Sequence, residues 1–218
     1  MIHFIRALFG RTRVPLFKRR KEKNDALADK ISWVAEVISD APEFERRAST
    51  AAKDVGEFEL AGMEAQIHLE FIPPKHLEEK FPGLGQWLTA RQVAIFEILF
   101  VVGSPALPFL KKVAFGPYDW SQGNAIEILC RIAAQDANHQ EIISSLSMAA
   151  STIRYEALMY ALEPLKARAS RDDAIQQVIN QLITQPEFGE AYHELPALGS
   201  FRPEAGPHLR TQVGPNVH

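Results

Sequence analysis

Four side chains able to hold a metal ion, His68, Glu70, His76 and Glu79, fall within twelve residues of one another. Their spacing lacks the i, i+4 histidine pair that sets two imidazoles on one helical face, so no metal site is expected. The one cysteine, Cys130, sits in Ile128-Leu129-Cys130-Arg131-Ile132. A thiol among apolar residues reads as buried and inert rather than nucleophilic. It also leaves no partner for an internal disulfide, which fits a reducing compartment and a cytoplasmic location. Three glutamates remain: Glu97, Glu127 and Glu156, thirty and then twenty-nine residues apart. Stacked on successive helices they would form an acidic ladder for a basic partner. The same spacing also fits single outward positions on otherwise buried helices. No P-loop, dinucleotide-binding glycine run, G-x-S-x-G or zinc cluster occurs, so no catalytic residue and no cofactor is expected.

The glutamates recur because the segments around them do. Phe96-Glu97-Ile98-Leu99, Ile126-Glu127-Ile128-Leu129 and Tyr155-Glu156-Ala157-Leu158 each lie inside an apolar helical stretch. A fixed period near thirty predicts stacked antiparallel helix pairs. The first pair runs from about Gln86 to Val102 and resumes at Ser104-Pro105, with Leu107, Leu110, Val113 and Ala114 inward. The second spans Ala125 to Ala134 and Glu141 to Ala150; the third spans Ile153 to Leu165 and Asp172 to Thr184. Outward positions on the second helices of these pairs are Lys111 and Lys112, Ser144 and Ser145, then Gln177 and Asn180. Those residues, with the Tyr118 and Trp120 loop, are the candidate partner-binding surface.

Upstream, Leu27, Ile31, Val34 and Ile38 share a helical face, and Asp40-Ala41-Pro42-Glu43 starts a second helix. Residues 57–72 satisfy two periods. Met63, Ala65, Ile67, Leu69 and Phe71 alternate with polar residues as in a small β-hairpin, while the Ala and Glu content favours a helix. Beyond Gln185-Pro186 the periodicity fades into a segment rich in Pro and Gly. The domains read as a basic segment 1–23, a helical region 24–81, a repeat region 82–190 and a Pro/Gly-rich segment 191–218.

Charge is unevenly placed. Residues 1–23 hold eight Lys or Arg and one acid, a net of +7, leaving −10 for the rest. Ile2, Ile5, Leu8 and Phe9 share a helical face ahead of Lys18, Arg19, Arg20 and Lys21. Apolar insertion with polybasic attraction would hold this segment peripherally on an anionic membrane surface; an organelle presequence or a solvated terminus has the same pattern. The acidic body makes nucleic acid an unfavourable ligand.

Gly103-Ser104-Pro105-Ala106-Leu107-Pro108-Phe109-Leu110 resembles the turn and second-helix start of a HEAT-like repeat. Ile153-Arg154-Tyr155-Glu156-Ala157-Leu158 with Ala161-Leu162 resembles a first helix of the same family, in the short form found in phycobilin lyases. The resemblance covers about residues 86–185. It implies an all-α solenoid of antiparallel helix pairs and a non-enzymatic adaptor that holds another protein. HEAT-like DNA glycosylases and chromophore-binding lyases are the alternatives it implies.

Overall fold

A computed structural model describes residues 16–69, 72–135 and 139–195, with side chains from residue 24 onward. Among these the chain is all-helical: α1 (Leu16–Ala35), α2 (Ala41–Ala52), α3 (Glu57–Gln66), α4 (Gln86–Val102), α5 (Leu107–Ala114), α6 (Ser121–Gln135), α7 (His139–Ala149), α8 (Tyr155–Ala169), α9 (Asp173–Leu182) and α10 (Pro186–Glu194). Short 3-10 turns at Lys75–Leu77, Ser104–Ala106 and Ala150–Thr152 link some of them.

Local chemistry sets the helix ends. The Asp40 side chain accepts from the Glu43 amide at 3.3 Å, and Asp172 accepts from Ala174 and Ile175 at 3.0 and 3.3 Å. Each satisfies backbone donors that an unfinished first turn leaves open. Gly103, at φ 71°, reverses the chain after α4 in a left-handed conformation that a Cβ would strain.

Helices α4, α6 and α8 pack one against the next, with α10 beyond α8. Helix α5 lies against α6, α7 contacts α6 and α9, and α9 also contacts α6 and α8. Helices α1 and α2 close the other side of α4, so the 24–81 region and the repeats share one hydrophobic core. Helix α6 is its centre. Its Gly123 is the reason α8 comes so near: a Cβ there would stand 2.6 Å from Tyr160 Cβ and 3.0 Å from the Ala157 carbonyl oxygen.

Three expectations change. Residues 57–66 are helical, and no strand occurs among the described residues. Met63, Gln66 and Ile67 are buried while Glu64 and Ala65 are exposed, which is an i, i+3, i+4 face and not an alternation. Glu59 reaches back to the Gly56 amide at 3.1 Å and closes the first turn. Secondly, Pro186–Glu194 forms α10, because Phe188, Ala191 and Leu195 bury on one side against α8 and the turn before it. Finally, α1 starts at Leu16 and runs across the expected boundary at residue 23. Ile2, Ile5, Leu8 and Phe9 lie outside the described residues, and only the helical backbone of Lys18, Arg19, Arg20 and Lys21 is described.

Candidate functional site: a charged cleft and an aromatic edge

Helix α4 is apolar on nearly every side, yet it carries Glu97 at 8% exposure. Its charge is met by Arg131 from α6, whose two terminal nitrogens donate to the two Glu97 oxygens at 2.8 Å each. Thirty residues lead from Glu97 to its repeat counterpart Glu127, and Arg131 is four residues, about one turn, further on. The flat face of the Arg131 guanidinium covers the Phe100 ring at 3.9 Å. Such a fork-to-fork pair suits a planar guanidinium and would not be reproduced by lysine.

Glu127 lies beside the pair, 3.7 Å from Arg131 and 3.6 Å from Arg168. Burial pushes its carboxyl above the usual range; the two arginines oppose that shift, and the Glu97 charge adds to it. For Arg131, burial works against the charge, but the hydrogen bonds to Glu97 and the charges of Glu97 and Glu127 outweigh it and hold the guanidinium cationic. In front of this floor is a cleft of about 260 Å³ between α2, α4, α6, α8 and α9, with Glu45, Val101, Arg168 and Asp172 at its rim. It is too small for most ligands of drug size.

Glu156 takes no part in that cleft. It is exposed near the start of α8, beside the α5–α6 loop. The three glutamates therefore do not form one ladder: Glu97 is buried and Glu127 half-buried, both facing arginine, and Glu156 faces solvent elsewhere.

The loop before α6 forms a second feature. Asp119 caps that helix, accepting from the Ser121 amide at 2.7 Å, and also faces His68 at 3.4 Å. These contacts hold the loop so that Tyr118 and Trp120 stand 43% and 64% exposed. The Arg154 guanidinium stacks over the Tyr118 ring at 5.0 Å, and Tyr160, half exposed on α8, is near enough with Glu156 to raise the Tyr118 pKa together with burial, the largest cause. Pro164, inside α8, has no N–H to give the Tyr160 carbonyl. Tyrosine, tryptophan and arginine at one edge are the residue types that dominate binding energy at protein interfaces.

The remaining candidates are dispersed. Lys111 pairs with Glu141 of α7 at 2.6 Å and Lys112 with Glu64 of α3 at 2.7 Å, so both lysines join helices instead of standing free. Ser144 and Gln177 are exposed; the Ser145 hydroxyl donates to the Glu141 carbonyl at 2.8 Å, and Asn180 accepts from Gln176 at 2.9 Å. His68 and His76 lie with different acids, Asp119 and Glu36, and Glu70 is outside the described residues. Among the described residues no cluster of three or more His, Cys, Asp or Glu could hold a metal ion. Cys130 is fully buried, and its thiol is pushed up by burial and by the Glu127 charge. Arg131, Arg168, Arg154 and Tyr160 were not singled out from sequence. The spacing of four from Glu127 to Arg131 signals their own contact on α6, and nothing local points to Glu97, 34 residues away, as the bidentate partner.

Compared with known proteins, the chain matches no family model, no curated protein and no solved structure. Among the described residues no helix is long and apolar enough to cross a membrane.

Proposed function

We propose that this chain is a non-enzymatic protein-binding adaptor, a HEAT-like α-solenoid that docks another protein through the edge formed by Tyr118, Trp120, Arg154 and Tyr160. The observation that carries the reading is the set of exposed aromatics on a rigid support. Tyr118 is backed by Arg154, and the loop is pinned by the Asp119 cap. Tyr and Trp bury large areas at low entropy cost, so a few such anchors supply most of an interface's affinity. The succession of α4, α6 and α8 supports the solenoid reading, because each repeat covers the apolar face of the one before. A single cysteine fits a reducing compartment, in keeping with the cytoplasm.

The test is affinity capture with the full chain and with a Tyr118→Ser, Trp120→Ser, Tyr160→Ser variant. Loss of an anchor cluster weakens a complex by roughly thirtyfold, about 2 kcal/mol, or more. The variant should lose partners that the parent retains, with an unchanged far-UV circular dichroism spectrum. Equal recovery of the same partners would move the interface away from this edge.

A further inference from the structure

The cleft over the Glu97–Arg131 pair lies apart from the aromatic edge. Gly123 of α6 faces Ala157 and Tyr160 of α8, and further along Glu127 faces Arg168, so the two helices run the same way. The edge is at their N-terminal ends and the cleft at their C-terminal ends. Helix α4 joins them there. Phe100 and Val101 come from its last turn, Ala134 and Gln135 from that of α6, and Arg168 from that of α8.

Three helix C-termini therefore converge on one cavity. The last carbonyls of each carry partial negative charge, and together they favour a cation. The side chains act in the same direction. Arg131 is matched by Glu97 and Arg168 is set against Glu127, which leaves Glu45 and Asp172 at the rim without an ion pair among the described residues. Glu45 is exposed on α2, yet its charge reaches Arg131 on the cleft floor. Asp172 caps α9 through Oδ1, and its charge offsets the positive end of that helix.

Size and walls narrow the occupant further. The cleft's volume of about 260 Å³ is the share of roughly nine waters, at about 30 Å³ each. That holds one long side chain and little more. Phe100, Val101 and Ile175 offer an apolar wall to an alkyl stem, while the rim carboxylates meet a charged head. Arginine suits this better than lysine, because a guanidinium is more weakly hydrated and forks onto a carboxylate.

We propose that this cleft receives one arginine side chain of a partner protein, its stem along Phe100, Val101 and Ile175 and its guanidinium toward Glu45 and Asp172. The inference rests on the chain being a protein-binding module but not on the aromatic edge, and its test needs no partner.

The probe is the capped peptide acetyl-Gly-Arg-Gly-amide, added to the full chain while the Val101 and Ile175 methyl resonances are followed by NMR. Those resonances should shift in a saturable way, with a dissociation constant on the order of 1 mM, as suits so few contacting atoms. The citrulline peptide, equal in shape but uncharged, should bind roughly tenfold more weakly or worse. Glu45→Gln alone should cost roughly threefold in arginine-peptide affinity, and Glu45→Gln with Asp172→Asn roughly tenfold. The urea midpoint should stay unchanged, because Glu45 is exposed and asparagine caps a helix as well as aspartate does. No saturable shift, equal binding of the citrulline peptide, or full affinity in both variants overturns the proposal. Free arginine binding tenfold tighter than the capped peptide also overturns it and makes the cleft a small-molecule site. Inorganic phosphate shifting the same resonances at lower concentration than the peptide overturns it in favour of an anion site. A failed titration with capture still dependent on Trp120 leaves the protein-binding reading standing. Peptide binding in a chain whose capture ignores Trp120 supports the cleft and removes only the edge.

Discussion

Replacing Arg131 by methionine would remove the cation from a pair whose side chains retain only 7% and 9% of their exposure. Methionine fills comparable space and keeps an apolar contact over Phe100, so the main loss is electrostatic. Glu97 would then be a carboxylate on an apolar helix, with the Glu127 charge close by and Arg168 set against Glu127. Breaking one side of a buried pair costs about 3–5 kcal/mol, because the remaining charge has lost both water and counterion. For a chain of this size that is a fall in melting temperature of roughly 6–20 °C. Removing both charges together, Glu97→Met with Arg131→Met, should recover most of the loss, since apolar replacements of buried pairs are commonly neutral or better. The measurement is urea unfolding followed by circular dichroism, with both single variants and the double variant in one cycle. A cost below about 1 kcal/mol for Arg131→Met at unchanged m-value would mean that the guanidinium is solvated, and the account of a sealed floor would fail.

Three further outcomes follow from other contacts. Gly123→Ala should destabilise by about 1–3 kcal/mol despite the better helix propensity of alanine, because its methyl would meet Tyr160 and the Ala157 carbonyl; an unchanged urea midpoint would show that α6 and α8 separate freely. Hydrogen bonds from Arg46 and then Arg47 hold the Glu43 carboxyl down at about 2 from 4.5. The stabilisation from this lowered value is complete above about pH 4.5 and is lost as pH falls toward 2, and a carboxyl resonance titrating near 4.5 in the folded protein would contradict it. Cys130, fully buried, should react with an exposed-thiol reagent only at the rate at which the core opens, so rapid labelling of the native chain would place it at the surface.

The apolar periods and breakers between Gln86 and Leu182 were legible as helices because amphipathic spacing and proline or glycine stops act within a few residues. Residues 57–66 were ambiguous for a physical reason. Met63 and Ile67 belong equally to a period of two and to an i, i+4 step, and burial of Gln66 beside them selects the helix. Helix α10 was missed because its few apolar residues carry weak periodicity, and they become ordered only against the neighbouring helices.

Sequence alone determined the helical character, the thirty-residue recurrence, the inert surroundings of Cys130 and the uneven charge, all of which depend on neighbours along the chain. The tertiary structure decided which glutamates are buried. Glu97 and Glu156 occupy equivalent places in the period, yet Glu97 meets Arg131 across 34 residues while Glu156 remains in solvent. A partner supplied by another helix depends on the angle and depth of packing, which Gly123 and its contact with α8 help set through a single missing methyl group. The gathering of Tyr118, Arg154 and Tyr160 into one edge has the same origin: residues distant in sequence meet only because α6 and α8 pack this closely.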